Sequence, residues 1–263
     1  MPSPRPAPLA VDSLGYALMA AADLVAAVMQ GRSLADLFEQ RARQSQWPDA
    51  VRGAVRDLSA GCLRDYGKGE FILSNLLHKP LPIDVHAVLL VSLHRQSVRP
   101  EHAHTIVDQA VEACARHAPG LRGVANGVLR NAIRQHEALQ ARISGDAALR
   151  HAHPRWWVER LANQYPDQWE AILDQSNQRA PMSLRVNVRH PGAKTLRTDL
   201  SAVGLHAREH GGGALVLEKP VAVSALPGFA EGLLSVQDAG AQSAPSRTRR
   251  LRAPGARGPR RGR

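Results

Sequence analysis

Arg122, Asn126, Arg130 and Arg134 recur every four residues, a spacing that on a helix stacks three guanidinium groups and an amide along one face. Such a strip suits the phosphate backbone of RNA, because arginine neutralises phosphate charge, releases counterions and donates planar hydrogen bonds. An ordinary solvated helix face has the same pattern, so spacing alone leaves both readings open. Further along, Arg185 and Asn187 alternate with Leu184, Val186 and Val188. On a strand they point away from its apolar side, toward RNA or toward a neighbouring domain. These six residues form the candidate RNA-binding set.

The other chemistry-bearing residues build no site. Cys62 and Cys114 stand in amphipathic segments without a CxxC partner, so they are predicted to be small buried residues, with no disulfide framework and no thiolate metal site. His102, His104, His117 and the pair His151 and His153 lack the cysteines or carboxylates that would complete a ligand set. No catalytic residue, cofactor site or metal site is assigned. Trp156, Trp157 and Trp169 can stack on unpaired bases, but beside Leu161 and Ile172 they are predicted to fill a small core. Gly211-Gly-Gly213 lies between Glu209-His210 and Ala214-Leu215, the setting of a hairpin turn rather than of a loop that cradles a cofactor.

The elements that must position these residues are mainly helical. Ser13 to Gln30 has helical spacing and stops at Gly31, after which Ser33 is placed to cap a short helix. From Pro48, Val51, Val55, Leu58 and Cys62 share one face, and this helix is expected to end near Gly67 and Gly69. A helix with Phe71, Ile72, Leu76 and Leu77 precedes the break at Pro80 and Pro82, and the run Val85 to Leu93 is apolar almost all round, as a central helix would be. Two more follow, one with Ile106, Val107, Ala110, Val111 and Cys114 inward, the other with Leu121, Val124, Val128 and Ala132 inward. Residues 10–145 thus read as a bundle of about seven helices. After a change of character at 145–154, two short helices, the strand Ser183 to Val188, helical spacing over Ala193 to Val203 and a strand with Leu215 and Leu217 make a small α/β unit over 151–236.

The chain carries a formal charge of +11, but the stretch from Ser243 to Arg263 holds eight arginines and no acid. Residues 1–242 therefore account for only +3, and the high isoelectric point says little about the folded part. Residues 243–263 have two readings: a disordered arginine-rich arm that binds RNA, or out-of-frame translation of a GC-rich gene. The second is supported by Pro259-Arg260-Arg261, encodable so that one base later reads Leu-Asp. The longest apolar stretch, Ala17 to Met29, is interrupted by Asp23 and too short to span a bilayer, and the start lacks the basic residues of a secretory signal. A cytoplasmic protein without membrane contact is expected.

Several blocks, in order, resemble one family. Gly123-Val-Ala-Asn-Gly-Val-Leu-Arg130 and Arg56-Asp-Leu-Ser-Ala-Gly-Cys-Leu-Arg64 are similar to signatures of NusB-like RNA-binding domains. His153-Pro-Arg-Trp-Trp-Val-Glu-Arg160, Pro181-Met-Ser-Leu-Arg-Val-Asn187 and Ser235-Val-Gln-Asp-Ala-Gly-Ala-Gln242 follow in the order found in bacterial 16S rRNA cytosine-C5 methyltransferases of the RsmB (Sun, Fmu) type. The resemblance implies a mainly α fold: a NusB-like bundle over 10–145, a small α/β connecting domain over 151–236, then a Rossmann-like S-adenosylmethionine domain expected to begin where this chain departs into its basic tail.

The resemblance also implies methylation of 16S rRNA through a cysteine thiolate that adds to cytosine C6, with a second cysteine assisting release. Those cysteines sit in Thr-Cys and Pro-Cys settings, whereas Cys62 follows Gly61 and Cys114 follows Ala113, so neither is carried over as catalytic. The expectation is an RNA-binding fragment without turnover: a monomer, with RNA, 16S rRNA in particular, as partner, no specific preference for DNA, and S-adenosylmethionine as cofactor only of the full-length family. A stand-alone NusB-like module of transcription antitermination is the alternative, and residues 151–242 are what it has no need of.

Overall fold

The computed structural model describes residues 8–178, 180–210 and 213–243, and the chain divides into two compact units between Asn177 and Gln178. The first unit is helical. Ser13 accepts from Tyr16 N at 3.1 Å and so caps α1 (Leu14–Met29), which stops at Gly31 with φ +90°, a conformation that costs glycine nothing. Then come α2 (Leu34–Gln44), α3 (Asp49–Arg64), α4 (Tyr66–Leu76), α5 (Ile83–Val98), α6 (Ala103–His117), α7 (Arg122–Arg134) and α8 (His136–Gly145).

As the apolar run predicts, α5 is the central helix: it packs against α1, α3, α4, α6 and α7, and Val85, Ala87, Val88, Leu89, Leu90 and Val91 are all buried. Truncating Leu89 or Leu90 to alanine in such a setting costs about 2–5 kcal/mol.

Four details depart from the sequence reading. Ser33 stands at the N-cap position of α2 but its side chain makes no capping hydrogen bond. The helix from Pro48 ends at Arg64, and Gly67 and Gly69 lie inside the first turn of α4. Gly69 serves close approach instead of termination, since a Cβ there would sit 2.8 Å from Leu90 Cδ2. Val124, expected on the inner face, is 39% exposed. Finally the bundle has eight α-helices among the described residues, because His136–Gly145 forms a helix of its own after a break at Gln135.

Two short helices, α10 (Arg155–Gln164) and α11 (Trp169–Asn177), follow the single turn α9 (Ala147–Arg150) and remain in the first unit. Val158, Leu161 and Leu173 form their small core, with Trp157, Trp169 and Ile172 packed on it. Two of the three tryptophans thus sit where the sequence puts them, while Trp156 is 63% exposed.

The second unit is a four-stranded antiparallel sheet with order β2-β3-β1-β4, made of β1 (Ser183–Val186), β2 (Ala207–His210), β3 (Ala214–Leu217) and β4 (Leu234–Val236). Leu184 pairs with Leu215 on one side and Val236 on the other. The helix α12 (Leu196–Ala202) buries Leu196 and Leu200 in a core with Leu184, Leu215, Leu217 and Leu234. The expected alternation does not reach Val188, which is 83% exposed beyond the end of β1. β2 and β3 pair antiparallel with His210 opposite Ala214, as a hairpin requires, although Gly211 and Gly212 lie outside the described residues. The last helix, α13 (Ala239–Gln242), is capped by Asp238, which accepts from Ala241 N at 3.1 Å. The reading of 243–263 as a basic arm or out-of-frame product also lies outside the described residues beyond Ser243.

Candidate nucleic-acid interface

α7 carries Arg122, Asn126, Arg130 and Arg134 as the spacing predicts, with Ala125, Val128, Leu129 and Ala132 buried on the other side. The four are not equivalent. Arg122 is ion-paired with Glu112 of α6, so its charge is compensated within the fold. Arg130 donates from Nε to Asn126 Oδ1 at 2.9 Å, which fixes the guanidinium one turn along while leaving its charge free. Arg134 bonds the side-chain carbonyl of Asn131. Neither Arg130 nor Arg134 has an acidic partner among the described residues.

Arg142 on α8 is a further exposed arginine, missing from the sequence-derived set. Its Nη1 donates to Asn75 Oδ1 at 2.6 Å, and its guanidinium lies 4.8 Å from the Phe71 ring centroid, a cation–π distance. It lies on a separate helix after the break at Gln135, so the spacing of the α7 arginines gave no signal for it. Asn131 was also missed; as an exposed-side amide next to Arg130 it carries no spacing signal.

In the second unit Arg185 is exposed on β1 and donates from Nη1 to Gln237 Oε1 at 3.3 Å. Asn187 is committed to its own loop: Nδ2 donates to Gly232 O at 3.1 Å, and Oδ1 accepts from Arg189 N at 3.2 Å. It follows β1 instead of lying in it, and its amide is spent on backbone, the turn-forming habit of asparagine.

A cavity of about 360 Å³ between α3, α4, α5 and α8 brings together Cys62, Asp65 and His94, residue types that in a nucleophilic site would be thiol, orienting acid and base. The electrostatics exclude that use. Burial, reinforced by the charges of Asp65 and Glu70, pushes the Cys62 thiol up to about 12, so it is protonated at neutral pH and a poor nucleophile. His94 Nδ1 is 3.0 Å from Asp65 Oδ2. Burial works against the Asp65 charge, but the His94 hydrogen bond and the Lys68 charge outweigh it and hold the carboxyl below the ordinary aspartate range.

Cys114 is likewise raised by burial, and its Sγ lies 3.9 Å from Leu121 O. Both cysteines are free thiols. The His151 and His153 pair is spent locally: His151 Nδ1 lies 2.8 Å from Asp174 Oδ1 and its ring meets Trp169 edge-on at 5.5 Å, while His153 Nδ1 bonds His151 O at 2.6 Å. Among the described residues no group of three His, Cys, Asp or Glu could hold a metal ion, and none of their helices is long and apolar enough to cross a membrane.

On α7, Arg130 and Arg134 stand without an acid partner among the described residues, while Arg122 is paired with Glu112. Residues 16–134 match the NusB family, and residues 153–224 match the family described as Methyltr_RsmF/B-like, ferredoxin-like domain, so the chain carries these two domains in that order. The second match begins inside the first compact unit, so α10 and α11 go with the bundle by contact and with the sheet by family.

Across both domains the chain is similar to Ribosomal RNA small subunit methyltransferase B. It is 38% identical to that of Citrobacter koseri over 221 residues, covering 82% of this chain and 51% of the relative. For Erwinia tasmaniensis and Escherichia coli O6:H1 the identities are 36% and 35% over 230 residues, covering 85% of this chain and 53% of each relative. The chain thus spans about half the length of the curated relatives it matches. The solved structure of PH0851 shares the fold, with a TM-score of 0.61 at 13% identity, covering 87% of this chain and 54% of that one.

Proposed function

We propose that this chain supplies the RNA-binding part of an S-adenosylmethionine-dependent 16S rRNA (cytosine-C5) methyltransferase and does not itself transfer the methyl group. The observation that carries the reading is the ordered pair of family matches, residues 16–134 and then 153–224. Two features of the fold support it. Arg130, Arg134 and Arg142 present positive charge with no acid partner among the described residues, which is the footprint of phosphate contact. Both thiols are raised by burial, whereas cytosine C5 methylation needs an activated thiolate beside bound cofactor.

RNA contact is assigned to the bundle, residues 10–145, through Arg130 and Arg134 with Asn126 as their support. Arg122 contributes less because Glu112 already neutralises it. Residues 151–236 act as the connecting domain, with Arg185 as an outward cation and Asn187 as a loop-holding residue. The cytoplasmic, monomeric state and the choice of 16S rRNA belong to the same reading.

Two assays on the 263-residue chain test it together: binding to unmodified small-subunit RNA, and methyl transfer to that RNA from labelled S-adenosylmethionine. Salt-dependent binding without turnover is expected. Significant turnover contradicts the division of labour, and absence of RNA binding contradicts the proposal as a whole.

A further inference from the structure

A second groove, of about 270 Å³, runs between α4, α5, α7 and α8 and adjoins the cavity that holds Asp65 and His94. Its walls are apolar, with Ile72, Leu93, Ile133 and Leu139 among them. Within them sits Gln96, only 9% exposed, whose Nε2 is buried and finds no acceptor on the protein among the described residues. A buried amide donor left unpaired costs about 1–3 kcal/mol, so its persistence in an otherwise apolar wall calls for a partner. At the lip, the side chains of His136 and Gln140 on α8 make no hydrogen bond within the described residues either. The groove therefore offers a mostly aliphatic lining, one buried donor and two polar side chains without a protein partner among the described residues. Near the lip in sequence, Arg134 ends α7 two residues before His136 and Arg142 lies on α8, both without an acid partner among the described residues.

We propose that this groove receives an unpaired nucleobase of the bound RNA, with Gln96 Nε2 donating to a carbonyl or ring-nitrogen acceptor on the base edge. Arg134 and Arg142 hold the flanking phosphates. The inference rests on the RNA-binding reading above and deepens it by naming where sequence or strandedness is sensed. Apolar walls with a few convergent polar groups are how proteins take splayed bases, which stack on side-chain surfaces and bond through their edges. The second lobe suits this better than the first, because there the Asp65 carboxylate is an acceptor already engaged by Lys68 and His94 and would repel an anionic backbone.

The test compares an unstructured RNA oligonucleotide with a duplex of the same length, using wild type, Gln96→Leu, Ala103→Phe and the double variant Arg130→Glu, Arg134→Glu. Ala103 lines the groove, and phenylalanine there fills it. The groove variants are expected to lose about tenfold in affinity for the single strand, the value of one well-bonded base, and to leave duplex affinity unchanged. The double arginine variant weakens both. Gln96→Leu removes an unpaired buried donor, so its melting temperature stays level or rises while single-strand affinity falls, an outcome that instability cannot imitate.

In wild type, the Gln96 side-chain amide resonances shift on adding the oligonucleotide. If wild type binds RNA and the double arginine variant weakens it, but both groove variants bind as wild type and the Gln96 amide does not move, an ordered water suffices for Gln96 and the groove proposal is overturned while RNA binding stands. If wild type binds neither RNA, the underlying reading fails and the groove proposal with it.

Discussion

Gly61 and His94 touch across the α3–α5 interface: a Cβ on Gly61 would lie 2.2 Å from His94 Nε2 and 2.7 Å from Cε1. The missing side chain lets the imidazole lie against α3 while its other nitrogen engages Asp65. Glycine in a helix interior ordinarily gives up about 1 kcal/mol relative to alanine, so here close packing outweighs propensity. Gly61→Ala is expected to destabilise by about 1–3 kcal/mol, the range of an overpacked interior. Gly53, on the same helix with nothing within 4 Å of its would-be Cβ, gives the opposite sign, and Gly53→Ala should stabilise by about 1 kcal/mol. Chemical denaturation of the two variants checks the pair; a common sign for both would contradict this account of the interface.

Thiol chemistry gives a second expectation. Burial and neighbouring carboxylates raise Cys62 to about 12, and Cys114 is buried and raised too. Neither should react with a disulfide reagent in the native protein at pH 8, and both should react once denaturant opens the bundle. Because a raised thiol favours the fold only while protonated, this contribution is present below the unfolded value of about 8.5 and is lost as pH climbs toward 12. A fast native-state reaction of Cys62 would show a thiolate that burial does not allow.

Asp146 offers the acid-side counterpart. Its carboxylate accepts from Leu149 N at 3.2 Å and Ala148 N at 2.8 Å and pairs with Arg155 at 2.6 Å. The Leu149 hydrogen bond foremost, helped by Arg155 and Ala148, holds it below the ordinary aspartate range against the opposing effect of desolvation. The folded value being depressed, its stabilisation is full above about 3.9 and disappears as pH falls through the folded value. Asp146→Ala should cost about 1 kcal/mol at neutral pH, the worth of a capping residue. Wild type and variant should converge in acid, as thermal melts over a pH series would show.

The central helix was legible because an apolar surface all round leaves a helix nowhere to go but the interior, and α5 goes there. α1 was legible from its helical spacing and its glycine stop, while its cap at Ser13 went unread. The ordered blocks around Gly123, His153 and Pro181 identified both domains that the family matches cover. The separate α8 was hidden because Arg134-Gln-His-Glu137 contains no glycine or proline to mark a break.

At the site, spacing placed four residues on one face but had no access to partners in other elements. Glu112, twelve or more residues from most of that face and on another helix, neutralises Arg122, and Asn75 receives Arg142 from 67 residues away. Asn187 was read as an outward strand residue because alternation looked unbroken through Val188; its own side-chain bonds end the strand at Val186. Gln96 had no signal at all, since a glutamine one turn past an apolar run looks like any helix end.

The central claim is that α7 meets RNA through arginines the fold leaves uncompensated. Its most direct test is the salt dependence of affinity for unmodified small-subunit RNA, measured for wild type and for Arg130→Glu with Arg134→Glu, each shown to be folded by circular dichroism. Wild-type affinity should fall steeply with salt. The double variant should bind more weakly, with a log–log slope shallower by about 1.4, at roughly 0.7 per lost single-strand phosphate contact. Equal affinity and equal slope in the folded variant would contradict the assignment of this face to RNA.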